Sequence, residues 1–374
     1  MRVLIATPYY HPRVGGLENY SAAIARGLYE RGWEVVVVCG DTRVREVTCE
    51  TLEGYKVWRL PIWKVVSNTP LHPGWFGMIR RIIRTERPDI VNAHTPVPYM
   101  VDMVTLAAGR VPVVVTYHAA TLFKPGGGLA MRFLTLAYQV IQSITLARTR
   151  AIIAVSPYVK TTTLSKRFAD KTQVVPNAVS SVSTIHLTGG KGLVFVANLE
   201  PTHSWKGLDL ILDSLAIARD EYGATPQLTI VGDGTDRARY EQRVRELNVE
   251  DSVRFMGLLL GSERDQVVRE AAAQVVYPTT ANDGTPTVLL EGWAQGLPVI
   301  ASAIGPIPAL VDDHKTGVLV APNNATALAA AIHEVLANPT EALAMGEAAR
   351  KLVAQEYTWP RQVERTAQLL EALI

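Results

Sequence analysis

Two carboxylates eight positions apart, Asp283 and Glu291, frame the segment NDGTPTVLLEGWAQGLPVIAS at residues 282–302. Asp283 is expected in a loop and Glu291 about one turn into the following helix. That spacing lets one carboxylate meet a sugar while the other accepts from the hydroxyl pair of a ribose. Between them Gly284, Thr285, Pro286 and Thr287 lead into the helix, whose unpaired N-terminal amides favour a phosphate. Two carboxylates at this spacing are common by themselves; set on strand, loop, helix and a following GLPVIAS strand, the pattern is specific. Lys206, in HSWKGLDL, stands just ahead of another expected helix. It can offer a point charge to a diphosphate, the alternative being a lysine solvated in a loop.

His94 in DIVNAHTP and His118 in VVVTYHAA close two expected strands. Ligands of open α/β sheets bind outside the carboxyl ends of the strands, so both imidazoles are expected to face a cleft. There a neutral ring can bond a substrate hydroxyl or a developing charge. The loop after the first strand, VGGLEN, carries Gly15, Gly16 and Glu18 immediately before a helix. Adjacent glycines let backbone approach a ligand, and a tight turn uses the same residues. The loop is not a G-x-G-x-x-G fingerprint, and no well-placed acidic residue ends the second strand, so a dinucleotide site is not expected.

A scaffold of alternating strands and helices must hold these side chains. In the first half, β-rich runs predict strands at Arg2 to Thr7, Val35 to Cys39, Lys56 to Leu60, Asp89 to Ala93, Val113 to Tyr117, Ala151 to Ser156 and Gln173 to Val175, separated by stretches long enough for helical crossovers. A second alternation has strands at Leu193 to Ala197, Gln227 to Val231, Val253 to Met256, Gln274 to Tyr277 and Pro298 to Ala301. Its helices fall near 207–222, 235–247, 262–273 and 287–296. The expected fold class is α/β: two Rossmann-like, doubly wound parallel-sheet domains facing across a cleft. A chain of 374 residues supports two cores, since single cores stop growing near about 250–300 residues. The expected division is an acceptor domain at 1–183, a donor domain at 184–355, and a C-terminal helix at 356–374 crossing back to the first. The small, polar, Gly-containing stretch from Ser180 to Gly192 reads as the linker.

Composition narrows the setting. The N-terminus lacks the pattern of an export signal and no stretch approaches the ~20 apolar residues of a membrane span, so a cytoplasmic protein is expected. Cys39 and Cys49 stand without Cys or His neighbours, which indicates free thiols rather than a disulfide framework or zinc site. The net charge of +2 hides an asymmetry: residues 1–187 hold 22 Lys and Arg against 11 Asp and Glu, the remainder 15 against 24. The basic half is expected to face something anionic, attraction between the halves being the alternative. WFGMIRRIIRTERPDI, residues 75–90, places Arg80, Arg81, Arg84 and Arg87 among Trp, Phe, Met and Ile. It reads either as a helix lying on an anionic membrane or as an ordinary sheet-covering helix with arginines in solvent. The apolar and basic stretch Phe123 to Arg150, with Arg132, Arg148 and Arg150, favours membrane contact. No nucleic-acid partner is expected.

Taken in order, VGGLEN, DIVNAHTP, VTYHAAT, AVSPYVK, VVPNAV, WKGLDLIL, IVGDGTD, VRFMGLL, DGTPTVLLEGWAQGLPVIAS and KTGVLVAPNN resemble the large retaining GT-B glycosyltransferase family that includes the bacterial phosphatidylinositol mannosyltransferases. The resemblance runs through essentially the whole chain. It implies that Gly16 touches the donor diphosphate and that His118 lies near the reacting sugar and acceptor. It further implies that Lys206 neutralises the diphosphate, Glu291 bonds the donor ribose, and Gly232 of IVGDG lines the nucleobase pocket with the VRFMG strand. Asp283 stands where the family usually has Glu. Asn198 replaces the usual arginine, with His203 a substitute charge, and Pro306 replaces a second glycine, removing one amide.

The implied reaction transfers a hexosyl group from a nucleoside diphosphate sugar to a glycolipid, lipid-linked or saccharide acceptor with retention of configuration. His118, Asp283 and Lys206 are the expected catalytic residues; Glu18, His94 and His118 are expected on the acceptor side; Gly15, Gly16, Asn198, Lys206, Gly232, Gly284, Thr285, Pro286, Thr287 and Glu291 are expected around the donor. No D-x-D occurs, so neither a metal nor another cofactor is expected. Two alternatives stay open: a nucleotide-sugar epimerase on the same fold, and a sugar-nucleotide binding protein without turnover.

Overall fold

The computed structural model describes residues 1–13, 15–66, 68–118, 129–164, 166–184 and 189–374, with the side chains at 129–132, 134 and 163 outside that description. The Ala119 to Thr121 end of VTYHAAT, residues 123–128 and the Arg132 side chain of the apolar, basic stretch, and residues 185–188 of the expected linker lie outside the described residues. The chain forms two compact units. The first holds Met1–Asn177, Asn282–Thr285 and Trp359–Ile374; the second holds Ala178–Ala281 and Pro286–Thr358.

In the first unit β1 (Arg2–Thr7), α1 (Gly16–Glu30), β2 (Glu34–Asp41), β3 (Thr48–Leu52), β4 (Tyr55–Pro61), β5 (Lys64–Val66), β6 (Thr69–Leu71), α2 (Trp75–Glu86), β7 (Ile90–Thr95), α3 (Met100–Ala108), β8 (Val113–Tyr117), α4 (Leu129–Arg148), β9 (Ala151–Ala154) and β10 (Thr172–Val174) follow one another. Eight strands form one sheet in the order β10-β9-β8-β7-β1-β2-β4-β3. Strands covered on both faces read as unbroken apolar runs, as in β2, where Val35 to Cys39 are all buried. The edge strand β3 runs antiparallel to β4 through a two-residue turn. Glu53 and Gly54 both take positive φ there, the conformation that matches the twist of a hairpin. Its exposed Thr48, Cys49, Glu50 and Thr51 make a polar sheet edge.

The second unit runs β11 (Leu193–Val196), α5 (Leu208–Tyr222), β12 (Leu228–Val231), α6 (Arg237–Glu246), β13 (Val253–Phe255), α7 (Gly261–Arg269), β14 (Ala273–Val276), α8 (Thr287–Ala294), β15 (Val299–Ser302), β16 (Gly317–Val320), α9 (Ala325–Ala337) and α10 (Pro339–Glu356). Its six-stranded sheet has the order β13-β12-β11-β14-β15-β16. Every pairing is parallel. The last helix, α11 (Trp359–Glu371), packs in the first unit against α1, where Arg31 Nη1 meets Glu364 Oε2 at 2.6 Å.

Both sheets start at a central strand and wind outward both ways. β1 lies between β2 and β7, and β11 between β12 and β14. Chain leaving the carboxyl ends of neighbouring strands in opposite directions opens a crevice at that point, the usual ligand position in such sheets. The expected α/β class with two parallel sheets is thus present. β3, the β5–β6 ribbon and β16 add to the strands read from sequence. Of the two readings of α2, a membrane-surface helix or a sheet-covering one, the structure has the second: Trp75, Ile79, Ile82 and Ile83 are buried in the first core.

Candidate active site

At the carboxyl ends of β7 and β8, His94 and His118 meet. His94 Nδ1 lies 2.9 Å from His118 Nε2, and the rings stack with centroids 5.1 Å apart at 16°. The register aligns Thr95 with Tyr117, and the His118 amide donates to the Thr95 carbonyl at 3.0 Å, which brings the two imidazoles side by side. Tyr20 of α1 presents its ring edge-on to both, at 5.9 and 4.7 Å, and Trp359 packs on Tyr20 at 5.3 Å. His94 is fully buried, and its Nε2 has no hydrogen-bond partner. An orphaned lone pair costs less than an orphaned N–H. The Nδ1–H of His94 therefore donates to His118 Nε2, and the remaining proton of His118 sits on Nδ1. Burial pushes His94 down to about 3. His118 is also held well below its ordinary value, by burial first and by the adjacent His94 second. Both rings are neutral at neutral pH.

Residues 282–285 belong to this first unit. Asn177 Nδ2 donates to the Thr285 carbonyl at 3.0 Å, and the Thr285 hydroxyl donates to the Val155 carbonyl. Gly284 lies directly on the His118 backbone: a Cβ there would overlap the His118 carbonyl oxygen and stand 2.8 Å from Val155 Cγ2. Only glycine admits that approach, and it sets Asp283 beside the residue that carries the imidazole. Thr285, expected at the donor, spends its hydroxyl on this anchoring.

Glu18 is buried at the third position of α1, and Gly15 caps the helix. A Cβ at Gly15 would overlap the Glu18 carboxylate, whereas Gly16 faces open space. Burial raises the Glu18 carboxyl, opposed by its own backbone amide and by Arg13, whose Nε lies 3.6 Å from Glu18 Oε1. The positive end of α1 thus already faces a carboxylate. Nearby, β2 runs on past its expected end at Cys39 and closes on an acidic residue, Asp41. Arg43 Nη2 at 2.6 Å and buried Arg59 Nη1 at 3.2 Å hold it, so its acceptor oxygens serve the scaffold.

In the second unit the loops after β11 and β14 flank the crevice and are tied together. The Thr279 amide donates to the Trp205 carbonyl at 2.8 Å, and its hydroxyl does so at 3.2 Å. Lys206 follows, its Nζ 4.3 Å over the Trp205 ring, and Gly207 then caps α5. Asn198 is exposed, and its Oδ1 accepts from the Glu200 amide at 2.9 Å. His203 Nδ1 is 3.2 Å from the Thr202 hydroxyl. Gly232 bonds the Gly257 carbonyl at 2.8 Å, joining the ends of β12 and β13. Pro286 caps α8, Thr287 begins it, and Glu291 follows a turn later. Its Oε1 pairs with Arg264 Nη1 at 3.1 Å. Burial raises the Glu291 carboxyl, and Arg264 opposes the rise. Pro306 leads into a short 3-10 turn.

The structure therefore groups His94, His118, Glu18, Asp283, Gly284 and Thr285 in the first unit, and Asn198, Lys206, Gly232, Pro286, Thr287 and Glu291 in the second. Tyr20, Asn177, Arg264 and Trp359 take part without having been singled out. Asn177 stood in the quoted VVPNAV, but nothing local marks its side chain as the tether of a loop more than a hundred residues away. Arg264 likewise has its partner on another helix.

Residues 184–352 match the family model described as Glycosyl transferases group 1, and residues 14–181 match that described as Glycosyltransferase Family 4. An O-antigen chain mannosyltransferase C of Escherichia coli is 26% identical over 391 residues, covering 100% of this chain and 99% of the relative. A phosphatidyl-myo-inositol mannosyltransferase of Mycobacterium leprae is 24% identical over 348 residues, covering 90% and 88%. Among solved structures, HepE of Anabaena in complex with UDP superposes with a TM-score of 0.78 at 18% identity, covering 100% of both chains. With the two family models meeting end to end on two parallel-sheet units, the chain belongs to the group 1 glycosyltransferases and is a glycosyltransferase of the GT-B fold.

Proposed function

We propose that this glycosyltransferase is a retaining hexosyltransferase, moving a hexosyl group from a nucleoside diphosphate sugar to a glycolipid, lipid-linked or saccharide acceptor. The observation that carries the reading is the docking of Asp283–Thr285 on the His118 backbone, which joins the acidic loop of a donor-type motif to a neutral imidazole. Departure of the diphosphate puts about two negative charges on the leaving group, and their stabilisation is the largest task of such a site. Lys206, the N-terminal amides of α8 from Thr287 onward, and the open backbone at Gly16 meet that charge. Glu291 accepts from the donor ribose, and Gly232 borders the base. The acceptor hydroxyl attacks from the face that the diphosphate leaves. The C–O bond to phosphate breaks as the new glycosidic bond forms, and the hydroxyl proton passes to the departing phosphate oxygen. His118 donates from Nδ1 to a sugar oxygen, while Asp283 orients the sugar. No metal is assigned a role, because the chain lacks a D-x-D.

The relatives named as mannosyltransferases and the UDP held by HepE support the donor class. The protein is proposed to work on the cytoplasmic side of a membrane as a peripheral enzyme; no helix among the described residues is long and apolar enough to cross one. The test is a panel of UDP-, GDP- and ADP-sugars read by thermal shift and by release of nucleotide diphosphate, with NMR of the product's anomeric coupling. A stabilising donor, its turnover and a retained configuration support the proposal. A shift with no release points to a non-catalytic binder, a changed sugar with no release to an epimerase, and an inverted product overturns the mechanism.

A further inference from the structure

Among its described residues, the helix α4 turns five large apolar side chains outward. Phe133, Leu136, Val140, Ile141 and Ile144 are 72, 62, 62, 50 and 50% exposed. At 100° per residue they fall within an arc of about 140°. The opposite face, turned to the protein, sets polar side chains beside buried Leu146. Thr145 there donates to Asp102 Oδ1 at 2.5 Å, Gln142 donates to the Tyr117 hydroxyl at 2.9 Å, and the Tyr138 hydroxyl is buried. A helix of a water-exposed domain shows the reverse pattern, and a contiguous apolar stripe left in solvent marks a docking surface.

Charge at one end of the stripe indicates what docks. Arg148 and Arg150 are exposed at the carboxyl end of α4. Lys171 ties the neighbouring turn to that end, donating to the carbonyls of Leu146 at 2.6 Å and Thr149 at 2.9 Å, and this turn brings exposed Lys166 and Arg167 alongside. An apolar face bordered by cations, in a half of the chain with a surplus of eleven positive charges, fits an anionic bilayer: apolar side chains enter the acyl boundary while the basic rim meets headgroups. We propose that the outer face of α4 docks the protein on an anionic lipid surface. This deepens the proposed lipid-linked acceptor and rests on that reading. Through the Gln142–Tyr117 bond the docking helix is joined to the strand that delivers His118, so a lipid-held acceptor arrives at the end of the sheet where His118 stands.

The full chain is sedimented with vesicles of phosphatidylcholine alone and of phosphatidylcholine mixed equally with phosphatidylglycerol, at low and high salt. The wild type is expected to pellet with the anionic vesicles only, and less so at high salt. Leu136→Gln combined with Ile144→Gln should weaken partitioning by roughly tenfold or more, and Arg148→Gln combined with Lys166→Gln should flatten the salt dependence. All four side chains are exposed, so melting temperatures and acceptor-independent donor hydrolysis should match the wild type. A wild type that stays in the supernatant, or apolar variants that bind as well as it does, overturns the inference. So does a dimer in sedimentation velocity that those variants dissolve, which would assign the stripe to a second copy. Vesicle binding that obeys these expectations without any release of nucleotide diphosphate upholds the surface and sinks the transferase reading instead.

Discussion

Acid should destabilise the first unit through His94, and the effect can be isolated by one substitution. The buried imidazole titrates at about 3 in the fold against an ordinary value of 6.5. Between those values the unfolded chain holds a proton that the folded chain refuses, so stability falls as the pH falls from 6.5 toward 3. Each pH unit below 6.5 costs about 1.4 kcal/mol, which gives about 2 kcal/mol between roughly pH 7.5 and pH 5. His118 acts in the same direction. Glu18 and Glu291, raised by burial, act oppositely: in their window the folded state takes up protons first and gains stability as the pH falls. His94→Phe removes one titrating group from this balance and keeps a ring against both His118 and Tyr20. Loss of the bond to His118 Nε2 costs about 1–3 kcal/mol, but that cost is independent of pH as long as His118 stays neutral. Urea unfolding followed by tryptophan fluorescence at the two pH values gives the comparison, Trp359 lying 5.3 Å from Tyr20 beside the pair. The wild type should lose about 2 kcal/mol more than the variant on acidification. Equal losses would mean that water reaches His94 in the folded protein, and the neutral-pair account would be wrong.

Other outcomes follow from the same geometry. Gly284→Ala drives a methyl group into the His118 carbonyl; a stability loss of about 1–3 kcal/mol and at least a tenfold fall in turnover are expected, and wild-type behaviour in both urea unfolding and nucleotide release would exclude the close approach. Thr285→Val leaves the Val155 carbonyl without its hydroxyl donor, for about 1–3 kcal/mol of lost stability by urea unfolding. Lys206→Ala should leave the melting temperature of the free protein in place while weakening UDP or GDP, measured by calorimetry, by roughly tenfold to a hundredfold; unchanged affinity removes Lys206 from the site. Glu291→Gln gives up the ion pair with Arg264, which is only partly shielded from water, so stability should move by no more than about 1 kcal/mol. Donor affinity should drop about tenfold through the ribose contact, and equal thermal shifts with donor for variant and wild type would contradict that role.

The α/β class was legible because a parallel strand buried on both faces must be written as an apolar run. Val35 to Cys39, Val113 to Tyr117 and Val299 to Ala301 can hardly be read otherwise. The edge strand β3 was not legible, since an edge needs no apolar run: TCETL reads as loop, and only the positive φ of Glu53 and Gly54 makes it half of a hairpin. β2 was read two residues short at its carboxyl end for a similar reason, because Gly40 and Asp41 dilute the apolar pattern although the pairing continues through them.

His94 and His118 could be placed at strand ends from local pattern, and Asp283 and Glu291 on loop and helix by spacing, because those properties depend on neighbours within a few residues. That the two imidazoles touch, that both are neutral, that Thr285 spends its hydroxyl on Val155, and that Glu291 pairs with Arg264 depend on register and burial between segments far apart in sequence. The two helices with mixed apolar and basic composition show the division most plainly. From sequence α2 and α4 both fitted a membrane surface, since a helical period marks an apolar face but not what covers it. The sheet of the first unit covers the face of α2, whereas the polar partners of α4, Asp102 and Tyr117, turn its apolar face outward, and only the packing of the whole chain could decide between them.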